Sequence, residues 1–310
     1  MASWQAFLMN GVLRVAMKRR GDRPMDLARV RKSTLNPPRR ALHIPEGWRV
    51  DEVRGAGDLS FDVAQRAMRA ASEPEDVVLY LHGGGYFFGS PKTHRQIIIG
   101  MARAFEGPSY GLDYRLAPEH RFPAAVDDAM AAFRWVQARH PKARLTLAGD
   151  SAGGGLAVVT ALAARDQGVT MPAAMVLFSP WSDLAATGRS IESNAKSCAM
   201  FTPKSIRTGA SVYLGDADPR DPKASPLYAN LEGLPPTLIF ASLQEILLDD
   251  STRLAEKARA AGVKVELILR DNLPHVWPVF LRMLPEGRES LDAVTRFAGT
   301  VRRQSETPTA

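Results

Sequence analysis

Ser151 lies in the pattern G-x-S-x-G, between Gly149 and Gly153. The run 144–148 before it is apolar and predicts a strand, and the run 155–164 after it is small, apolar and predicts a helix. A turn at this spacing forces its central residue toward positive φ and needs small neighbours. The serine hydroxyl would then project above the sheet at the positive end of a helix, where it could act as a nucleophile. The alternative is a glycine-rich turn with a capping serine.

A serine hydroxyl becomes a good nucleophile only when a base takes its proton. Of the six histidines, His275 lies in a loop directly after the last predicted strand, 263–269. It follows both Ser151 and the candidate acids, which is the serine–acid–histidine order of hydrolases built on a strand–turn–helix of this kind. We predict His275 as the general base, the alternative being an exposed loop histidine.

The acid of such a site must follow the predicted strand 236–242, and three carboxylates do so. Asp249 and Asp250 directly precede the predicted helix 251–261, where aspartates suit capping. Glu245 lies nearer the strand end, where a carboxylate could reach the histidine and fix its tautomer. We predict Glu245 as the acid, with Asp249 as the alternative.

Three glycines, 83–85, follow the β-rich apolar run 76–82. At the end of a strand they let the backbone turn its N–H groups outward, where these could bind an oxyanion. A phosphate loop is the alternative, but the run lacks the P-loop lysine and the spacing of a dinucleotide fold. The next residues, Tyr86 and Phe87, either line an acyl or alcohol pocket or pack beneath the loop.

Strand-like runs alternate with helical ones, which predicts βαβ units and a mostly parallel sheet flanked by helices. Segment 1–45 contains an amphipathic helix and then a proline break, and segment 182–231 has no clear strand. We expect these two segments to form a two-part helical cap, with 46–310 as the catalytic domain. The predicted strands are 48–54, 76–82, 108–114, 144–148, 174–180, 236–242 and 263–269.

Composition narrows the function classes. The 310 residues are 45% hydrophobic, which suits one large α/β domain, and no apolar run reaches the roughly 18 residues that span a bilayer. Cys198 is the only cysteine, so no internal disulfide or cysteine zinc site can form, and we interpret it as a packing residue.

The net charge of +7 suggests a nucleic-acid-binding protein, but the basic stretch 14–40 has no aromatic stacking pattern. We expect a cytoplasmic protein without metal, cofactor, nucleic-acid partner or membrane insertion.

Several motifs occur in a fixed order along the chain: His82-Gly83-Gly84-Gly85, Tyr114-Arg115-Leu116-Ala117-Pro118-Glu119, Gly149-Asp150-Ser151-Ala152-Gly153-Gly154, Ser179-Pro180-Trp181-Ser182-Asp183-Leu184 and Pro274-His275. With them the chain resembles the hormone-sensitive-lipase-like branch of the α/β-hydrolase esterases, between residues 45 and 300. The resemblance implies an α/β-hydrolase fold with a helical cap, in which Ser151 is the nucleophile and His275 the base.

The resemblance also assigns the oxyanion hole to the N–H groups of Gly83, Gly84 and Ala152. Much of the family has an aspartate followed by Pro-Leu in the acid loop, whereas this chain has 244–247 as Gln-Glu-Ile-Leu. That loop resembles the family's variant with a glutamate acid, which favours Glu245.

The activity implied is that of a serine carboxylesterase, which hydrolyses short- to medium-chain acyl esters through an acyl-enzyme. Lactone or amide hydrolysis by the same residues is an alternative. A non-catalytic receptor of the same fold is another, but such receptors have lost the histidine that this chain retains as His275. The resemblance further implies a homodimer that pairs through the last strand and helix.

Overall fold

The computed structural model of the chain describes residues 2–18, 27–28, 31, 37, 42–68 and 73–306. Its strands are β1 Trp48–Arg54, β2 Ser60–Arg66, β3 Asp76–Leu81, β4 Ser109–Leu112, β5 Arg144–Asp150, β6 Ala174–Phe178, β7 Thr237–Ser242 and β8 Val265–Arg270. Its helices are α1 Trp4–Ala16, α2 Arg95–Ala104, α3 Ala124–Arg139, α4 Ala152–Asp166, α5 Ser190–Ser193, α6 Pro203–Leu214, α7 Leu248–Ala260 and α8 Pro285–Glu306. Short 3₁₀ turns lie at Pro226–Tyr228 and Trp277–Val279.

The strands form one eight-stranded sheet in the order β1-β2-β4-β3-β5-β6-β7-β8. β1 and β2 pair as an antiparallel hairpin, and β2 also pairs antiparallel with β4. From β4 through β8 every neighbouring pair is parallel. The carboxyl ends of β3, β5, β6, β7 and β8 therefore meet along one edge of the sheet, where parallel α/β sheets place their sites.

The central strands are buried on both faces, since alternate strand residues point to opposite sides of the sheet and helices pack on each side. In β3, Val77 and Leu79 pack into one apolar cluster with α3, α4 and α7, while Val78 and Tyr80 pack into a second with α2 and α8. Each of these side chains is fully buried. This two-sided burial explains why β3 is a continuous apolar run without the polar alternation of a half-exposed strand.

The predicted α/β-hydrolase architecture is confirmed, with one strand added. β2 was not expected, because its Asp62 and Gln65 are poor strand formers and interrupt the apolar pattern. Asp62 is nevertheless buried, and its carboxylate pairs with the Arg95 guanidinium at 3.0 Å. A partner 33 residues away in the chain thus permits a buried charge in the strand.

Parts of the expected cap lie above this edge. α1 donates from Asn10 Nδ2 to the carbonyl of Asn272 in the loop after β8, at 2.9 Å. At its end, Lys18 Nζ donates to the carbonyls of Ala195 and Cys198 in the segment between β6 and β7, at 2.7 and 2.8 Å. Most of the predicted cap segment after residue 18 lies outside the described residues, so the two-part cap stays a prediction.

Candidate active site

Ser151 occupies the turn between β5 and α4, with φ 52° and ψ −120°. The flanking glycines are required because neighbouring backbone atoms leave no room for a side chain at either position. A Cβ on Gly149 would lie 2.3 Å from the carbonyl oxygen of Gly153, and one on Gly153 would lie 2.0 Å from that of Leu81. The serine backbone is fixed by a hydrogen bond from its N–H to Phe178 O (2.9 Å) at the end of β6. The sharp turn expected from G-x-S-x-G is therefore present.

His275 and Glu245 form a buried pair at the ends of β8 and β7. His275 Nδ1 contacts Glu245 Oε2 directly, and both side chains are 1% exposed. The other carboxylate oxygen, Oε1, accepts the N–H of Ser242 at 2.7 Å. Asp249, the alternative acid, lies instead in the first turn of α7 and accepts the N–H of Ser190 at 3.1 Å. The structure brings Glu245, and not Asp249, to the histidine.

Ser179, the first residue after β6, links the neighbourhood of Ser151 to the Glu245–His275 pair. Its hydroxyl donates to Glu245 Oε1 at 2.8 Å and accepts the N–H of Val276 at 3.2 Å. It directly follows Phe178, whose carbonyl binds the Ser151 N–H. Ser179 is a functional residue without a predicted role, and the signal for it in the sequence is that it begins the Ser-Pro-Trp motif directly after a predicted strand core.

The second ring nitrogen of His275, Nε2, is buried and has no hydrogen-bond partner among the described residues. The Phe201 ring, from the segment between α5 and α6, lies edge-on to the imidazole at 5.1 Å. Nε2 is the nitrogen that a general base would use once Nδ1 is held by a carboxylate. It makes no hydrogen bond to Ser151 Oγ here, and such bonds commonly tighten only when substrate binds.

The glycine loop after β3 presents N–H groups beside this edge. Gly83 N–H donates to Asp150 Oδ1 at 2.9 Å, so this donor, which the resemblance assigns to the oxyanion hole, is already paired. The next two N–H groups, of Gly84 and Gly85, have no partner among the described residues. Both glycines have positive φ, 122° and 61°, and a Cβ on Gly84 would lie 2.0 Å from Phe88 O. Ala152 is the first residue of α4, with its N–H at the positive end of the helix.

Asp150, next to the serine, is a buried carboxylate with partners on several elements. Its Oδ1 also accepts the Tyr80 hydroxyl at 2.7 Å, and its Oδ2 lies 3.4 Å from His94 Nε2. Burial alone would raise the pKa of Asp150, but the His94 charge and these hydrogen bonds lower it below its usual value. For His94, burial lowers the pKa, and the charge and hydrogen bond of Asp150 raise it above its usual value overall. Asp150 is thus ionised and fastens the serine turn to the glycine loop.

His82, directly after β3, holds the glycine loop in place. Burial and the neighbouring His94 lower its pKa to about 3, so the ring is neutral and Nδ1–H donates to Gly83 O at 2.7 Å. The ring stacks on Tyr114 with centroids 4.2 Å apart, and the Tyr114 hydroxyl donates to His82 O at 2.7 Å.

The two aromatic residues predicted to line a pocket or to pack under the loop lie in the core. Tyr86 is 1% exposed and stacks on Tyr213 of α6 with centroids 3.8 Å apart. Phe87 is 7% exposed and belongs to the same apolar cluster. Their packing between the glycine loop and α6 favours the structural alternative.

Among the residues that the structure describes, no group of three or more His, Cys, Asp or Glu side chains is arranged to hold a metal ion. None of the helices in this part of the chain is both long and apolar enough to cross a bilayer.

A strand–serine–helix turn with a buried histidine–glutamate pair at the edge of a parallel sheet defines a hydrolase of the α/β type. The chain belongs to the α/β-hydrolase fold family, whose model matches residues 78–279. It is 42% identical over 234 residues to an acetyl-hydrolase of Streptomyces hygroscopicus, covering 75% of this chain and 78% of that protein. An esterase of Acinetobacter venetianus is 36% identical over 234 residues, covering 74% and 77% of the two chains.

Solved structures agree with these relatives. An esterase from the bacterial hormone-sensitive lipase family superposes with a TM-score of 0.85 at 37% identity, over 98% of this chain and 99% of that one. The esterase EstE5, from crystals soaked with p-nitrophenyl butyrate, superposes with a TM-score of 0.87 at 38% identity, over 97% and 99%. The resemblance to the hormone-sensitive-lipase-like esterases is confirmed, and the protein is a carboxylic ester hydrolase.

Proposed function

We propose that this protein hydrolyses short- to medium-chain carboxylic esters through a covalent acyl-enzyme on Ser151. The observation that carries the proposal is the buried Glu245–His275 pair, which Ser179 ties to the strand end beside the serine. A ligand receptor without catalysis would have no need of a carboxylate on a buried histidine, so the pair also argues against that alternative.

The reaction follows from the placement of these groups. His275 Nε2 takes the proton of Ser151 Oγ while Oγ attacks the ester carbonyl, which gives a tetrahedral intermediate. The bond to the alkoxy oxygen then breaks, and the imidazolium gives its proton to the leaving alcohol. Water, deprotonated by the same nitrogen, attacks the acyl-enzyme and releases the carboxylic acid. Glu245 stabilises the imidazolium in both steps.

The oxyanion hole is proposed to consist of the N–H groups of Gly84, Gly85 and Ala152. This keeps two of the donors assigned from the resemblance and replaces Gly83, because the Gly83 N–H is bonded to Asp150. Loss of one such donor in a comparable site costs about 3 to 4 kcal/mol of transition-state stabilisation.

The Ser151→Ala variant tests the nucleophile. We expect the rate of p-nitrophenyl butyrate hydrolysis to fall by about 10⁴-fold or more, because the hydroxyl forms the covalent bond. Ser211→Ala, at an exposed serine of α6, serves as the matched control and should keep parent activity. Circular dichroism verifies that both variants fold. Near-parent activity of Ser151→Ala would show that the nucleophile lies elsewhere.

The acyl preference rests on the closed surroundings of the histidine. Phe201 covers the His275 ring, and Tyr86 and Phe87 fill the space between the glycine loop and α6. We expect turnover of p-nitrophenyl esters to be highest between acetate and octanoate, and to drop steeply for longer chains. A maximum at palmitate would contradict the short- to medium-chain assignment.

We further propose that the protein works in the cytoplasm as a homodimer paired through β8 and α8. β8 is the last strand of the sheet, and it has a neighbouring strand on one side only within the described residues. An exposed strand edge offers unpaired backbone groups to a second copy.

A further inference from the structure

Helix α1 contacts the protein through a face that combines hydrogen-bonding side chains with small apolar ones. The Ser3 hydroxyl donates to Glu286 Oε2 at 3.0 Å, and the Asn10 side chain donates to a backbone carbonyl in the loop after β8 at 2.9 Å. The Arg14 guanidinium donates to Ser197 O at 2.9 Å. These residues recur at helical spacing, and on the same face of α1 Ala6 is buried in the apolar cluster of α2 and α8, with Met9 packed against that cluster.

The opposite face of α1 is apolar and exposed. Trp4, Phe7, Leu8, Val12 and Val15 recur at intervals of three and four residues, which places them on one stripe of the helix. Their exposed fractions are 72, 71, 61, 55 and 56%. A surface helix of a soluble protein normally turns such a stripe toward the core. In α1 the large apolar side chains face solvent instead, and such an exposed apolar face is typical of an interaction site.

The charges in and next to α1 along the sequence indicate which partner the stripe suits. α1 contains no aspartate or glutamate, and residues 14–40 carry ten lysines and arginines against two aspartates. A second copy would bring the same positive charge to the contact and be repelled. A helix with Trp, Phe and Leu on one side and neighbouring cations is typical of one that lies in the plane of an anionic bilayer surface.

We propose that α1 is an interfacial anchor, which docks the protein on the surface of a bilayer containing anionic phospholipids. The stripe from Trp4 to Val15 enters the headgroup region, and the net charge of the chain, +7, favours an anionic lipid surface. Docking does not require a spanning segment. Because Asn10 bonds to Asn272, only three residues before His275, the anchored face lies close to the active-site loop.

Sedimentation of the full chain with lipid vesicles tests the proposal. We expect binding to vesicles of phosphatidylcholine mixed with phosphatidylglycerol, and weak binding to phosphatidylcholine alone. Binding should fall when salt is raised to about 0.5 M, because salt screens the cations. On binding, the parent should show a blue shift of tryptophan emission that Trp4→Phe lacks. Failure of the parent to bind the anionic vesicles would overturn the proposal.

Variants of the stripe distinguish its contribution to lipid binding from the contribution of the positive charge. The double variant Phe7→Ser/Leu8→Ser should bind anionic vesicles at least about tenfold more weakly, because two apolar side chains no longer enter the bilayer. Met68→Ser is the matched control, since Met68 is 96% exposed and lies outside α1. It should bind like the parent. Circular dichroism verifies folding of each, so the readout does not depend on activity.

Two other results would overturn the proposal. Parent-like binding by the Phe7→Ser/Leu8→Ser variant would show that charge alone holds the protein on lipid. Light scattering that shows the parent as a dimer and the double variant as a monomer would instead assign the stripe to a second copy of the chain.

Discussion

Glu245 uses both oxygens of its carboxylate. Oε2 holds His275 Nδ1, and Oε1 accepts from Ser179 and Ser242. Because a carboxylate can only accept, Nδ1 must carry the proton and Nε2 is left as the basic nitrogen. The residue thereby fixes both the tautomer and the orientation of the ring.

Glu245→Gln should lower kcat for p-nitrophenyl butyrate by about 10³- to 10⁴-fold, because an amide cannot stabilise the imidazolium and favours the wrong tautomer. Asp249→Asn, in the first turn of α7, should change kcat by less than about threefold, since its effect is on the helix end. The measurement is steady-state kinetics of the two purified variants. The reverse ranking would make Asp249 the acid.

The Asp150–His94 pair predicts a pH-dependent stability. The folded-state pKa of His94 is raised, so its contribution is complete below the usual histidine pKa and is lost as pH rises through the folded value. The other groups facing the pair stay neutral, since the pKa of His82 is lowered to about 3 and that of Tyr80 is raised well above its usual value.

His94→Gln should therefore destabilise the protein by about 1 to 3 kcal/mol at pH 6, because the buried Asp150 charge loses a charged partner. The difference in unfolding free energy between parent and variant should shrink between pH 6 and pH 9. Urea unfolding at both pH values measures it. A difference that is constant or grows with pH would contradict a protonated His94.

At the scale of elements, the sequence predicts what is local and misses what depends on distant partners. The buried strands β3 and β5 and the serine turn follow from apolar runs and glycine spacing. β2 does not, because its Asp62 is buried only through Arg95 of α2. The glycine motif likewise marks the oxyanion loop but not which N–H is free, since Asp150, 67 residues further on, takes that of Gly83.

Arg31 joins the N-terminal segment to the glycine loop. Its Nε donates to Phe87 O at 2.9 Å and its Nη2 to Ala117 O at 2.5 Å. The Glu119 carboxylate receives two further hydrogen bonds, at 2.6 and 2.7 Å. The hydrogen bond from Arg31 lowers the pKa of Glu119 to about 2. One guanidinium thus holds the loop after the glycines and the connection between β4 and α3.

Arg31→Gln should lower kcat for p-nitrophenyl butyrate by about 5- to 100-fold, because the oxyanion donors lose a positional restraint. Glu119→Gln is the matched control, since it removes the ion pair and leaves the bonds from Arg31 to Phe87 O and Ala117 O possible. Its kcat should stay within about twofold, as expected for a half-exposed ion pair. Equal effects of the two variants would assign the role to the ion pair.

At the scale of the whole molecule, helices cover the two faces of the sheet, whereas no strand of the described residues pairs with the outer edge of β8. The bonds from Thr237 N–H to Lys264 O and from Leu243 N–H to Arg270 O show that even-numbered residues of β8 bond to β7. The odd-numbered N–H groups therefore point away from the sheet. They form the row of donors that a second copy would pair.

Light scattering should give twice the chain mass of 33.8 kDa for the parent. Leu269→Pro removes one outward N–H of β8 and should shift the protein to the monomer, as proline is tolerated at strand edges. Leu269→Val keeps the N–H and should remain dimeric. A monomeric parent, or a Leu269→Pro variant that stays dimeric, would disprove pairing through this edge.

The binding site of the Lys18 ammonium group lies next to the single cysteine of the chain. Its ammonium group donates to three carbonyls, the last of them that of Cys198, whose side chain is 1% exposed. Since no other cysteine exists in the chain, an aromatic disulfide reagent has a single place to react, and that thiol is buried in the apolar cluster shared with α3 and α4. The colour that the reagent releases would therefore measure how often the segment around Cys198, whose carbonyl binds Lys18, opens to solvent.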